Sequence, residues 1–133
     1  MADKLFTIRD TKNGIDLKLP YSNFVEGLIQ KQYINRNSDY VFSGGQSNAY
    51  INDPRKQITR IRKESGVYFT IHDLRRTFIT IAESLDISTM ALKMLVNHSL
   101  GSDVTSGYVI MDVERLRKPV ATISSSIESC FNS

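Results

Sequence analysis

In two stretches of this 133-residue chain, apolar residues recur at intervals of three and four, and no other feature restricts its folding as tightly. Leu74, Phe78, Ile81 and Leu85 form the first series; Leu116, Val120, Ile123 and Ile127 form the second. An α-helix turns once in about 3.6 residues, so each series lines one helix face and demands a surface to cover it. Both helices have marked starts. Thr70-Ile71-His72-Asp73 matches a capping box, in which a hydroxyl and an acid three residues on satisfy amides that a helix start leaves open. Asp112 is placed to cap the later helix, and Pro119 should kink that helix or lie near its first turn. Between them, Ser88 or Thr89 opens a helix running to about Asn97, packed by Met90, Leu92, Met94 and Leu95.

The earlier sequence adds two helices and a small sheet. Residues 4–9 and 15–19 favour strand formers, and Asn13-Gly14 between them is a strong hairpin turn signal. The chain is therefore expected to open with an antiparallel β-hairpin that lifts Lys12 near its tip, with Pro20 ending the second strand. Ser22 can cap a helix to about Asn35, with Phe24, Val25, Leu28 and Ile29 as a buried stripe. Val41-Phe42 reads as a short apolar anchor, followed by the breaker Ser43-Gly44-Gly45. About Asp53 to Glu64 reads as a basic amphipathic helix with Ile58 and Ile61 inward, stopped by Gly66. The expected fold class is mainly α (α+β), with a small N-terminal antiparallel hairpin, and residues 1–133 read as a single domain.

Composition narrows the function classes. The chain is 41% hydrophobic and 23% charged, ordinary for a globular protein and unlike a disordered one. No apolar run is long enough for a membrane helix, and Met1 to Phe6 lacks the apolar stretch of a signal peptide. One cysteine, Cys130, cannot form an internal disulfide and fits a reducing cytoplasm. With two histidines besides, a Cys/His zinc arrangement is poorly supported. The formal charge of +3 leans mildly toward polyanionic partners. Much of it is local: residues 53–76 hold seven bases, from Arg55 to Arg76, against the acids Asp53, Glu64 and Asp73. Such a run is either a solvated helix face or an anion-facing groove.

Two segments could carry chemistry. His72 and Arg75 stand at i and i+3 in the first turns of the capped helix, so both leave one face near a helix end that favours anions. The planar fork of Arg75 suits two phosphate oxygens. Taken alone, the pair reads more readily as a capping-turn histidine and a surface charge. Downstream, His98 follows a helix end and a Gly-containing polar loop leads to Thr105-Ser106-Gly107-Tyr108. Alone, Tyr108 reads as a packed tyrosine and His98 as a cation at a helix C-terminus.

In order, these segments resemble the tyrosine recombinase (phage integrase) family, whose signature is His-x-x-Arg, then Leu-x-His at the next helix end, then Thr-x-x-Tyr. Here these are His72-Asp73-Leu74-Arg75, Leu95 with Asn97-His98, and Thr105 with Tyr108. Arg75-Arg76-Thr77-Phe78 and the hairpin from Asp10 to Pro20 are similar to the family as well, and Asp112 to Pro119 is similar to the tail after its nucleophile. Asn97 stands where many members have Gly. The family's further phosphate-holding arginine, on a helix ahead of the hairpin, has no counterpart, since Arg9 lies on the first strand. The resemblance therefore implies the C-terminal portion of an integrase catalytic domain, with that helix and the N-terminal DNA-binding domains belonging to the parent enzyme. A piece without them is expected to be weak or inactive.

The resemblance implies site-specific recombination, the integration or excision of a phage or mobile element. Tyr108 would attack a backbone phosphate to give a 3′-phosphotyrosyl link and a free 5′-hydroxyl. Arg75 and His98 would bind the phosphate oxygens, His72 would bind phosphate or manage the Tyr108 proton, and Lys12 would be the general acid. No cofactor and no metal is implied. Implied partners are double-stranded DNA attachment sites and further protomers, in a tetramer on DNA, within a bacterial or phage-encoded, nucleoid-associated cytoplasmic enzyme. The last helix either packs on its own core or docks on a neighbouring protomer. Two other readings are a non-catalytic DNA-binding remnant and a type IB topoisomerase-like enzyme.

Overall fold

The computed structural model describes residues 4–9, 16–36, 38–44, 49–98 and 112–131. Among them are one two-stranded sheet, β1 (Leu5–Ile8) and β2 (Leu17–Pro20), and five helices: α1 (Asn23–Ile34), α2 (Arg55–Ser65), α3 (Ile71–Ser84), α4 (Thr89–Leu95) and α5 (Glu114–Ser129). The fold is mainly α with an N-terminal antiparallel strand pair, the class the sequence implies. The chain divides into two compact units, one of Met1–Phe24 with Arg75–Ser133 and one of Val25–Leu74. The boundaries fall inside α1 and in the second turn of α3.

In the first unit, β1 and β2 pair antiparallel in the register Leu5 with Pro20 through Ile8 with Leu17. The Tyr21 amide donates to the Lys4 carbonyl at 3.1 Å, adding a rung beyond the strands. The Asn13-Gly14 turn lies outside the described residues. Leu17 is buried, and α5 packs against both β2 and α4. Ala82 of α3, Leu92 of α4 and Ile123 of α5 form the centre of the core, ringed by Phe78, Ile79, Ile81, Leu85, Ile87, Leu95, Val96 and Ile127. The series on α5 thus packs on its own core, with Leu116 2% and Ile123 1% exposed.

Two expectations need correction here. Leu74 does not share the buried face of α3; it is 55% exposed, and the buried face centres on Ala82, which is fully covered. Periodicity marks large apolar side chains, whereas the closest helix approach goes to a small one. And α4 ends at Leu95 rather than Asn97, because the chain turns left-handed there: Asn97 has φ 49°. Pro119 lies inside α5, beyond its first turn.

The second unit is held mostly by hydrogen bonds and turns. An isolated antiparallel bridge joins Ser43 and Tyr50, with Gly44 donating to Ala49 O at 2.6 Å and Ile51 donating to Phe42 O at 3.0 Å. A side chain on Gly44 would meet the Tyr50 carbonyl oxygen at 2.8 Å, so glycine is required by that approach. Gly66 ends α2 in the left-handed conformation, φ 70°, its amide on Arg62 O. The expected apolar stripes are only partly covered: Phe24, Val25, Ile29 and Ile58 are half-buried. Leu28 is 50% and Ile61 45% exposed, and Phe42 anchors nothing, being exposed itself. The bulk chemistry of α2 explains its case: flanked by Arg, Lys, Thr, Gln and Glu, its two isoleucines cannot form a stripe wide enough to compel burial.

Candidate phosphate-binding site

α3 starts as the capping box requires. Asp73 Oδ2 accepts the Thr70 amide at 2.8 Å and the Thr70 hydroxyl at 2.7 Å, while Thr70 Oγ1 accepts the Asp73 amide at 3.2 Å. Two terminal amides are thus already engaged, and the Asp73 carboxylate sits where the helix dipole draws negative charge. His72 and Arg75 are the side chains of this helix for which the family resemblance implies a phosphate contact. They leave α3 three residues apart and are both exposed.

α4 supplies the second part. Its start is capped by Ser88, whose hydroxyl accepts the Ala91 amide at 3.3 Å. At its end, the His98 amide donates to Lys93 O at 2.9 Å and the Asn97 amide to Met94 O at 3.1 Å. With Asn97 left-handed, this is a Schellman ending, in which a 6→1 and a 5→2 bond satisfy the last carbonyls. It sends the chain off the helix at His98, which is exposed. One further terminal carbonyl, Val96 O, accepts from Arg75 Nη2 at 2.6 Å.

That bond brings the α3 arginine to the turn from which His98 departs. A guanidinium carries five N–H donors, so a bond to Val96 O still leaves its fork able to grip phosphate oxygens. The Arg75 guanidinium at this helix C-terminus also complements its partial negative charge, which favours its being there before any anion arrives. Lys12 and Tyr108, and Thr105 with them, lie outside the described residues.

The remaining bases of residues 53–76 are exposed, apart from a half-buried Arg62. Several are engaged. Arg55 pairs with Asp53 at 2.6 Å, and this hydrogen bond holds the Asp53 carboxyl below its ordinary range. Arg60 lies 3.7 Å from Glu64. Arg62 donates to Phe69 O at 2.7 Å and places its guanidinium 4.4 Å from the Tyr68 ring centre, bracing the link between α2 and α3. No group of three or more metal-ligating side chains occurs among the described residues, and no helix there is long and apolar enough to cross a membrane.

Sequence reasoning did not foresee the Val96 carbonyl as a partner of Arg75, nor the left-handed turn at Asn97. A signal for the turn was present: asparagine, next to glycine the residue most tolerant of that conformation, stands directly before a histidine at a helix end.

Residues 1–115 match the phage integrase family. The chain belongs to that family, the tyrosine recombinases, and is at that level a DNA recombination protein; such proteins bind DNA and act as multimers. No curated protein and no solved structure matches the chain.

Proposed function

We propose that the chain is the C-terminal part of an integrase catalytic domain and that the parent enzyme exchanges DNA strands through a 3′-phosphotyrosyl intermediate, with Tyr108 as the nucleophile. The Tyr108 oxygen forms a bond to phosphorus as the bond from phosphorus to the 5′-oxygen breaks. His72 either hydrogen-bonds the phosphate or takes up the phenolic proton, and the Lys12 ammonium protonates the departing 5′-oxygen. In the second half the 5′-hydroxyl of another DNA end attacks the phosphotyrosyl link, releasing Tyr108. One phosphodiester replaces another, so no external energy source enters. Charge builds on the non-bridging oxygens in both halves, where Arg75 and His98 supply positive charge and hydrogen bonds. The exposed bases on α2 add sequence-independent attraction to the DNA backbone.

The observation that carries this reading is the 2.6 Å bond from Arg75 to Val96 O, which gathers Arg75 and the turn of His98, 23 positions apart, at one helix end. The ordered His-x-x-Arg, His and Thr-x-x-Tyr series within the matched family span supports it. The setting inferred is the integration or excision of a mobile element by a tetramer on its attachment sites.

A nicked suicide DNA tests the chemistry, because the cut strand diffuses away and traps the covalent complex. Full-length protein should form an adduct that Tyr108→Phe does not. Arg75→Ala should slow adduct formation by about 10²–10³, the usual effect of losing one transition-state donor. Equal yields from wild type and Tyr108→Phe would refute the nucleophile. DNA binding with no adduct from wild type would instead make the chain a non-catalytic DNA-binding protein.

A further inference from the structure

We propose that Asn97 is a positioning residue that sets Arg75 and His98 together, an inference that rests on the reading above. One of these side chains comes from α3 and the other from the turn after α4, and that turn links them. Its first residue, Val96, is held from two sides. Its side chain packs against the core of Ala82, Leu92 and Ile123, and its carbonyl accepts Arg75 Nη2 at 2.6 Å. Its last residue, His98, is fixed by the hydrogen bond that its amide donates to Lys93 O at 2.9 Å. Only Asn97 lies between them, at φ 49°.

Were Asn97 to leave the left-handed region, the His98 amide would swing off Lys93 O, while the 96–97 peptide would stay with α4, held by the Asn97 amide on Met94 O. That peptide carries the Val96 carbonyl, so the brace on Arg75 would stay while the exit direction of His98 turned away from it. One backbone dihedral thus sets the direction of His98 relative to Arg75. Asparagine tolerates the conformation because its short amide can bond locally, and glycine adopts it with no penalty. A β-branched side chain there crowds the backbone and drives φ negative. The exposed Asn97 side chain has no reacting atom to touch in this scheme; its effect runs through the backbone.

The test uses full-length protein and nicked DNA, with adduct rate and DNA affinity measured separately. Asn97→Val should slow adduct formation tenfold or more while DNA affinity changes less than twofold, and Asn97→Gly should restore the rate. In an Arg75→Ala/His98→Ala background, Asn97→Val should produce no further loss, because the groups it acts through are gone. An additional tenfold loss there would overturn the proposal, as would a loss of affinity matching the loss of rate. A second readout needs no cleavage: the NMR signals of the Arg75 guanidinium and the His98 ring. The His98 signal should shift in Asn97→Val and return in Asn97→Gly, while the Arg75 signal stays put in both. An unmoved His98 ring in Asn97→Val would sink the positioning role even if the recombinase reading stood. If wild type forms no adduct, the recombinase reading fails while these signals still decide the role of Asn97.

Discussion

Glu114 and Arg117 face each other one turn apart on α5, with two guanidinium nitrogens on the carboxylate at 2.6 and 2.8 Å. The Arg117 hydrogen bond is the main reason the Glu114 carboxyl titrates below the ordinary glutamate range. Since the folded value is the lower one, the pair favours folding above the ordinary range, and this contribution fades as pH falls through the folded value. Glu114 is exposed, so solvent screening keeps the effect small. Arg117→Ala should return the Glu114 titration, followed by carboxyl NMR, to the ordinary glutamate range. An unchanged curve would show that the pairing does not persist in solution. At this scale the sequence was partly legible. The family resemblance, not the residue types alone, implied His72, Arg75 and His98 as phosphate ligands, and the bond from Arg75 to Val96 O joins residues 21 apart and depends on how α3 meets α4. No local pattern encodes that.

Elements were more legible, because their ends carry their own chemistry. Thr70 and Asp73 form the reciprocal bonds that the capping pattern calls for, Ser88 caps α4, and Gly66 closes α2 left-handed. Asp112 Oδ1 accepts the Glu114 amide at 3.0 Å, but the N-cap of α5 is Val113, one residue later than expected. Thr70→Ala should cost about 1 kcal/mol, the usual value of a lost helix cap, read from the urea midpoint. No loss would mean that packing rather than the cap holds the start of α3. The end of α4 was misjudged by two residues for a physical reason. Apolar spacing continues through Val96, but the Asn97 backbone rotates out of the helix. A second turn of this kind ends α3, where Asp86 has φ 55° and Ile87 donates to Ala82 O at 3.1 Å. Helix interiors follow side-chain periodicity, whereas their exits are decided by single backbone angles.

For the whole molecule, burial is uneven between the two units. The first holds the core of α3, α4 and α5; in the second, neither α2 nor the described length of α1 buries a residue. Ile123→Ala should cost about 2–5 kcal/mol, since it empties a site with no route to solvent. Ile61→Ala, at an equally periodic position, should change stability by only about 0.5 kcal/mol or less. Equal losses in thermal unfolding would contradict this division. Hydrophobic spacing could not tell these isoleucines apart, because it marks which face is apolar and not whether anything covers it.

The central claim is that Arg75, His98, His72, Lys12 and Tyr108 act on one DNA phosphate. Its most direct test is to digest the covalent complex trapped on nicked DNA and identify the nucleotide-linked peptide by mass spectrometry. The account predicts a single linkage, through the phenolic oxygen of Tyr108 to a 3′-phosphate. Linkage at any of the five other tyrosines, or to a 5′-phosphate, would contradict it.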